Sequence, residues 1–174
     1  MFCQTTTMTL EGKVFIITGA GGAISSAINT AFKTSGALLA LADRPGNAER
    51  ARDQLGTGLA IPVDLASLEG AHAMVAATLA HYGRVDGLIH TVGSFATGKI
   101  LELKPEDLDR MFDLNVKTLA YAVVAALPEI DPAHIGVMGS SFGGTTTLLA
   151  ASKSKAFRCV AWRQRMTLRF RLYF

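Results

Sequence analysis

Cysteine and long apolar runs, two features that mark whole classes of protein, are scarce in this sequence. Cys3 and Cys159 are the only cysteines among 174 residues and lie far apart, so no disulfide framework is expected. Apolar stretches such as 38–42 and 119–127 are shorter than the roughly 18 residues that a membrane helix needs. The N-terminal residues also lack the basic and apolar regions of a secretory signal. We therefore expect a cytoplasmic protein without a membrane partner.

Acidic residues are missing from the C-terminal part of the chain. All 14 carboxylates lie at or before Asp131, whereas residues 153–174 contain seven lysines and arginines. Residues 1–152 carry ten basic side chains and a net charge of −4, against +7 for residues 153–174. A basic segment of this kind can bind the phosphates of a nucleic acid. No aromatic stacking pattern accompanies it, so the favoured interpretation is a solvated terminal segment without a nucleic-acid partner.

The rest of the composition is typical of one folded domain with a sizeable core. The sequence is 49% hydrophobic and only 18% charged. Short β-rich runs alternate with helical spacing, which favours parallel strands joined by crossover helices. We predict an α/β fold, a three-layer Rossmann-like doubly wound parallel sheet, formed by residues 1–174 as a single domain. The predicted strands are 14–18, 38–42, 59–63, 85–91, 135–138 and 157–162, and the predicted helices are 23–34, 47–55, 68–82, 105–127 and 145–154.

Two local patterns refine the predicted helices. Ser67 precedes the third helix and is expected to cap its N-terminus. The first helix is expected to bury an apolar face, because five apolar residues follow the helical spacing: Ile24, Ala27, Ile28, Ala31 and Phe32.

A glycine-rich turn joins the first predicted strand to the first predicted helix. Gly19, Gly21 and Gly22 lie between Thr18 and Ala23. In a strand–turn–helix unit such a turn directs backbone N–H groups at the positive helix end, where a pyrophosphate is stabilised. The alternative is that these glycines only permit close packing of strand and helix.

Two aspartates at predicted strand ends strengthen the nucleotide hypothesis. Asp43 ends the second strand, 24 residues after Gly19, where a carboxylate accepts hydrogen bonds from the adenosine ribose. A carboxylate there repels a 2′-phosphate, although the neighbouring Arg44 offsets part of that repulsion, so NAD is favoured over NADP. Asp64 ends the third strand and is placed either to meet the adenine edge or merely to cap the turn before Leu65.

Residues 8–127 resemble the short-chain dehydrogenase/reductase family. The resemblance is carried by LEGKVFIITGAGGAIS (10–25), ALADR (40–44), PVDLAS (62–67), GRVDGLIHTVGSFATG (83–98) and FDLNV (112–116). It implies NAD binding and reversible oxidoreduction of a small carbonyl or alcohol substrate. The predicted cofactor-binding residues are Thr18, Gly19, Gly21, Gly22, Ile24, Asp43, Asp64 and Gly93.

Several positions depart from the family pattern. In the family's Thr-Gly-x-x-x-Gly-x-Gly loop, Ala23 and Ser25 replace the second and third glycines. The family's Asn-Asn-Ala-Gly segment corresponds to residues 90–93, where His90 is expected to be a packed residue and the Gly93 glycine is retained. Asn115 matches a helix asparagine that helps to hold a water for proton relay in the family. The alternative is an amide satisfied on a helix face.

The catalytic part of the family pattern is incomplete. The resemblance calls for a serine, a tyrosine and a lysine four residues after the tyrosine. No Tyr-x-x-x-Lys occurs in this chain, and the alignment that places Lys153 on the lysine puts Leu149 in the place of the tyrosine. Ser141 matches the serine only loosely. The predicted catalytic residues are therefore Ser141, Lys153 and Asn115, with weak or absent oxidoreductase turnover.

A second resemblance covers residues 131–162, which look like the nucleophile-elbow segment of α/β-hydrolases of the prolyl-oligopeptidase type. Residues 139–143 read Gly-x-Ser-x-Gly, which implies Ser141 as the nucleophile of a serine hydrolase. No acid and no histidine follow Ser141, as the hydrolase triad requires. We interpret the chain as a chimera or truncated form with a joint at 127–131, and a noncatalytic α/β fold is the other alternative.

The remaining expectations concern assembly and metals. The sheet is expected to be incomplete at its C-terminal side, and an exposed edge at residues 168–174 predicts self-association into a homo-oligomer. His72 and His81 have no ligand partners at metal-binding spacing, so no metal site is predicted.

Overall fold

The computed structural model describes residues 9–95, 97–131, 136–140, 152–153 and 159–163. The chain divides into two compact units, Met1–Ile130 and Asp131–Phe174. The boundary lies within the predicted joint at 127–131, and the single-domain assignment stays a prediction.

The first unit is built on a parallel four-stranded sheet with flanking helices, which confirms the predicted fold class. The strand order is β3-β2-β1-β4, and every neighbouring pair is parallel. The strands are β1 (Val14–Thr18), β2 (Leu38–Asp43), β3 (Leu59–Pro62) and β4 (Gly87–His90), and the helices are α1 (Ala23–Thr34), α2 (Asn47–Leu55), α3 (Leu68–Tyr82), α4 (Pro105–Phe112) and α5 (Thr118–Ala126).

Strand β1 lies at the point where the strand order reverses. The chain moves from β1 outward to β2 and β3, then crosses back to place β4 on the other side of β1. In open α/β sheets this reversal creates a crevice at the carboxyl ends of the strands. The register puts Thr18 beside Ala42 and His90, so the ends of β1, β2 and β4 meet at one edge of the sheet.

The core lies on both faces of the sheet. Ile16 packs on one face with Met74, Val75 and Ala122 of α3 and α5. Ile17, the next residue of β1, packs on the opposite face with Leu39 and Ala51. The alternation follows from the two-residue period of a strand, and it produces the three predicted layers.

The predicted apolar face of α1 is only partly buried: Ile28 and Phe32 pack against the core, whereas the other three positions are exposed. Ile24 is 74% exposed, and Ala27 and Ala31 are exposed as well. The fully buried residues of the helix are Ser25 and Asn29. The Ser25 hydroxyl and the Asn29 Nδ2 donate to carbonyls of the preceding turn, contacts that hydrophobic periodicity does not reveal.

The predicted long helix at 105–127 forms with an interruption. Helix α4 is followed by a π turn at Asp113–Lys117, then by α5 and by a 3₁₀ turn at Leu127–Glu129. π turns occur frequently at functional sites, and this one contains Asn115. The predicted Ser67 cap of α3 is confirmed, because its hydroxyl accepts a hydrogen bond from the Gly70 N–H at 3.0 Å.

In the second unit, two of the predicted strands form. They are β5 (Gly136–Ser140) and β6 (Cys159–Arg163), which pair in parallel with Gly136 beside Cys159. Of the helix predicted at 145–154, only Ser152 and Lys153 are described, and both are helical. The predicted edge strand at 168–174 lies outside the described residues. Within the part of the chain that is described, no helix is long and apolar enough to cross a membrane.

Candidate functional site

A cavity of about 450 Å³ lies at the carboxyl edge of the four-stranded sheet. Its walls come from the turn after β1, the ends of β2 and β3, the loop after β4 and the start of α5. The lining residues are Gly19, Gly21, Gly22, Asp43, Arg44, Asn47, Val63, Asp64, Leu65, Ala66, Thr91, Val92, Gly93, Ser94, Leu114 and Thr118. The volume is within the range of small-molecule and cofactor sites.

The turn after β1 has no room for side chains at two of its glycines. Gly19 has a φ of +64°, and a Cβ there would lie 2.9 Å from the Thr91 hydroxyl oxygen. A Cβ on Gly21 would lie 3.0 Å from the Asn47 carbonyl oxygen. These glycines therefore allow the turn to approach the loop after β4 and the start of α2 closely. Packing of the strand on the helix, the alternative role considered for them, stays a prediction.

Helix α1 begins beside this turn with free backbone donors. Gly22 is its N-cap, and neither a capping side chain nor an acidic residue occupies the first turn. The N–H groups of Ala23, Ile24 and Ser25 have no intrahelical acceptor at this position. The positive end of the helix therefore offers uncompensated donors next to the cavity.

Asp43 connects the end of β2 directly to the glycine turn. Its Oδ2 accepts a hydrogen bond from the Gly21 N–H at 2.9 Å. Its Oδ1 accepts hydrogen bonds from the Arg44 N–H at 2.7 Å and from the Asn47 Nδ2 at 3.4 Å. A direct hydrogen bond thus connects the glycine turn and Asp43, the two features from which a nucleotide site is predicted.

Asp64 lines the same cavity at the end of the β3 segment. The side chain is exposed, and its Oδ1 accepts a hydrogen bond from the Ala66 N–H at 2.9 Å. Asp64 therefore caps the turn that follows it, which is the alternative role considered for this residue. Contact with an adenine ring stays a prediction.

Asn115 and Gly93 meet on the other side of the cavity. The Asn115 Oδ1 accepts a hydrogen bond from the Ser94 N–H at 3.0 Å, and its Nδ2 donates to the Met111 carbonyl at 2.8 Å. A Cβ on Gly93 would lie 2.9 Å from the Asn115 Oδ1, so a glycine is needed for this approach. Both ends of the amide are satisfied by backbone groups, and a role in a water relay stays a prediction.

A chain of polar side chains lies beneath the cavity. The Ser25 hydroxyl donates to the Gly19 carbonyl at 2.8 Å and lies 2.5 Å from the Thr91 hydroxyl. Thr91 in turn donates to the Thr18 carbonyl at 2.7 Å. The Thr18 hydroxyl lies 2.9 Å from His90 Nδ1, and His90 Nε2 lies 3.3 Å from the Thr118 hydroxyl. Burial lowers the pKa of His90 to about 4, so the ring is neutral near pH 7.

The other predicted site residues lie in different environments. Thr18 is fully buried with its hydroxyl engaged, and Ile24 is 74% exposed on the first turn of α1. Lys153 is exposed in the second unit, and Ser141 lies outside the described residues. No group of histidine, cysteine or acidic side chains that would hold a metal is present among the described residues.

Several residues of the site were missed by the sequence analysis. Ser25, Thr91 and Thr118 connect the walls of the cavity, and Asn47 contacts Asp43. One signal was available for Thr118, because it follows Asn115 by three residues and so shares its helix face. No comparable signal exists for Thr91, whose contact with Ser25 depends on the tertiary fold.

A family model described as short chain dehydrogenase matches residues 13–154. Among known proteins, an uncharacterized oxidoreductase of Staphylococcus aureus is 29% identical over 157 residues, covering 83% of this chain and 67% of that protein. The oxidoreductase UcpA of Salmonella typhimurium is 33% identical over 141 residues, covering 78% of this chain and 54% of that protein. The chain thus spans about half to two thirds of the length of these relatives.

Solved structures that are similar to this chain indicate the same family. A 3-ketoacyl-(acyl-carrier-protein) reductase from Brucella melitensis, complexed with NADH, has a TM-score of 0.73 and 25% identity, covering 88% of this chain and 74% of its own. A mutant of a Serratia marcescens short-chain dehydrogenase/reductase has a TM-score of 0.68 and 27% identity, covering 79% of this chain and 59% of its own. The family model, the relatives and the parallel sheet agree, and this chain belongs to the short-chain dehydrogenase/reductase family.

Proposed function

We propose that the cavity at the sheet edge binds a nicotinamide dinucleotide, with NAD favoured over NADP. The observation that carries the proposal is the direct hydrogen bond between Asp43 and Gly21. It places an anionic acceptor for ribose hydroxyls beside the glycine turn and the start of α1, in one cavity.

The residues present fit such a cofactor. The Gly19 and Gly21 positions exclude side chains, so a diphosphate can approach the backbone, and the N–H groups at the start of α1 would hold it. Asp43 would bind the adenosine ribose, and Asp64 would meet the adenine. Gly93 would form part of the opposite wall of the cavity, and the buried Thr18 would support its floor. When bound, the cofactor supplies or accepts a hydride.

The chemistry proposed for this site is carbonyl/alcohol oxidoreduction of a small molecule with weak or absent turnover. No tyrosine precedes a lysine by four residues in the sequence. Leu149, which the family resemblance aligns with that tyrosine, has no proton to transfer. The amide of Asn115 is already engaged by backbone groups, so it would act by ordering the loop after β4.

Binding is tested by titrating the protein with NADH and NADPH and following ligand fluorescence. We expect NADH to bind more tightly, because the Asp43 carboxylate repels a 2′-phosphate. Asp43→Asn should weaken NADH binding by about tenfold or more, since a hydrogen bond to a charged group is lost. The same variant should also reduce the difference between the affinities for NADH and NADPH.

The matched control is Asp53→Asn on α2. Asp53 pairs with Arg52 on the surface and is absent from the cavity wall, so its replacement should leave both affinities unchanged. Failure of the wild-type protein to bind either nucleotide would refute the proposal.

Turnover is tested by following NADH oxidation with a panel of small aldehydes and ketones. A positioned general acid contributes typically 10²–10⁴-fold to such a rate, and we expect this protein to lack that contribution. Steady turnover at a rate typical of enzymes, on the order of 10 per second, would contradict the expected loss.

The other sequence-based hypotheses stand beside this proposal as predictions. Ser141, on which hydrolysis depends, and residues 168–174, on which self-association depends, lie outside the described residues. A cytoplasmic location rests on the sequence alone. A purely noncatalytic fold would show neither cofactor binding nor hydride transfer, which the NADH titration distinguishes.

A further inference from the structure

The buried face of α1 is polar at two positions one helical turn apart. Ser25 has no exposed surface and Asn29 is 3% exposed. Ile28 and Phe32, on the same side of the helix, are half-buried against the sheet. A hydroxyl and an amide in such positions lower stability unless they are hydrogen-bonded, so their partners reveal why they are there.

Both side chains donate to the glycine turn. The Ser25 hydroxyl donates to the carbonyl of Gly19 at 2.8 Å, and the Asn29 Nδ2 donates to the carbonyl of Ala20 at 3.0 Å. The two acceptors belong to consecutive peptide groups. Helix α1 therefore holds two neighbouring carbonyls of the turn from one side.

The N–H ends of the same peptide groups are held by β2. The Ala20 N–H donates to the Ala42 carbonyl at 3.3 Å, and the Gly21 N–H donates to the Asp43 Oδ2 at 2.9 Å. Each peptide group is planar, so a bond at both ends fixes its orientation. Neither group can rotate its carbonyl toward the cavity without breaking at least two hydrogen bonds, and the Gly19 carbonyl also accepts one from the Gly22 N–H at 2.9 Å.

Asn29 uses only half of its amide in this arrangement. Its Oδ1 is buried and has no hydrogen-bond partner among the described residues. An apolar residue would avoid burying that oxygen, so the stability of the fold alone does not account for an asparagine here. The bond to the Ala20 carbonyl is what the side chain provides.

We propose that Ser25 and Asn29 are positioning residues that preorganise the turn for the diphosphate of the cofactor. The inference rests on the proposed function. A carbonyl oxygen turned into the cavity would repel a diphosphate, and a loose turn would have to be ordered at the moment of binding. Clamping both peptide groups removes these two costs before the ligand arrives.

The test uses the double variant Ser25→Ala/Asn29→Leu, in which leucine keeps the approximate size of asparagine. Without ligand, the Gly21 amide should exchange with solvent about tenfold faster by NMR, because its peptide group has lost the bond at the Ala20 carbonyl. The Ala20 amide should exchange faster by a smaller factor, because the Gly19 carbonyl keeps its bond from the Gly22 N–H. Amides of Ile16 and Ile17 in the centre of β1 serve as the internal reference and should keep their rates.

With ligand, the double variant should bind NADH about tenfold more weakly than the wild-type protein. The control is Ser26→Ala, which replaces a neighbouring serine on the exposed side of α1 and should leave NADH affinity unchanged. Each single variant, Ser25→Ala and Asn29→Leu, should show a smaller loss.

Three results would overturn the proposal: unchanged exchange at Ala20 and Gly21, equal acceleration at Ile16 and Ile17, or faster exchange with unchanged NADH affinity. Failure of the wild-type protein to bind NADH would refute the proposed function. The exchange rates test the clamp separately, because they are measured without any nucleotide.

Discussion

His90 lies at the carboxyl end of β4 between two threonine hydroxyls, and its ring is half-buried. The Thr118 hydroxyl donates to the Leu114 carbonyl at 2.7 Å, so it accepts from the His90 Nε2–H. Nδ1 is then left to accept a hydrogen bond from the Thr18 hydroxyl. These partners assign the neutral tautomer that carries its proton on Nε2. A second proton on Nδ1 would reverse the bond to Thr18, which also contacts Thr91.

The protonation of His90 predicts a pH dependence of stability. Burial lowers its pKa from 6.5 to about 4, so the unfolded chain binds more protons between these values. Its contribution is fully present above about pH 6.5 and is lost as the pH falls to about 4. The loss amounts to at most about 3 kcal/mol. Urea unfolding between pH 4 and 7 measures it.

His90→Asn should flatten this profile, because an amide does not titrate. His72→Asn is the control, since His72 is exposed on α3 and its replacement should leave the slope unchanged. Equal slopes for the wild-type protein and His90→Asn would show that another group titrates.

The parts of the candidate site that depend on residue type and spacing along the chain were predictable. The glycines of the turn and Asp43 follow from the strand–turn–helix pattern, and the structure joins them through the Gly21 N–H. The contacts of Ser25 with Thr91 and of Asn29 with Ala20 were not predictable. They depend on how the inner face of α1 lies against the turn, and a polar residue at a core position gives no sign of its partner.

At the scale of elements, Asp86 connects the beginnings of the neighbouring strands β1 and β4. The residue precedes β4, and its Oδ2 accepts a hydrogen bond from the N–H of Val14 in β1 at 2.9 Å. Arg84 and Lys13 also donate to this carboxylate, whose side chain is 13% exposed. Burial alone would raise the pKa of Asp86, but these hydrogen bonds outweigh it and lower the pKa to about 2.

Asp86→Asn should lower the free energy of unfolding at pH 7 by about 1–2 kcal/mol. The full pKa shift of Asp86 would correspond to a larger loss, but Lys13 and Arg84 are half-exposed, and solvent weakens their interaction with the carboxylate. The carboxylate's contribution is present above its unfolded pKa of 3.8 and is lost as the pH falls to about 2. Denaturant unfolding of the variant measures it. Asp53→Asn, which breaks only a surface pair, should change stability little. A similar effect of both variants would contradict a special role for Asp86.

The helices and strands themselves were largely predictable. Buried apolar runs identified β1 and β2, and the caps identified the start of α3. The π turn at Asp113–Lys117 was not predictable, because periodicity over a long apolar helix does not register one extra residue in a turn. The turn matters for the site because it contains Asn115.

At the scale of the whole molecule, the described residues that line the cavity all lie between Gly19 and Thr118. All of them belong to the unit Met1–Ile130. The second unit contributes none of the described residues that line the cavity.

A chain ending at Ile130 should therefore fold and bind NADH with the affinity of the whole chain. Circular dichroism and a fluorescence titration test the two parts of this prediction. A chain ending at Phe112 is the comparison, because it loses Leu114 and Thr118 from the cavity wall. A folded chain ending at Ile130 that fails to bind, beside a whole chain that binds, would place part of the site in residues 131–174.

The early position of these walls has a consequence for synthesis on the ribosome. Translation completes the last lining residue, Thr118, before the β5 segment is made. Under the proposed function, we expect a nucleotide to associate with the nascent first unit and to stabilise it by mass action. The second unit would then fold beside a first unit that already holds its nucleotide.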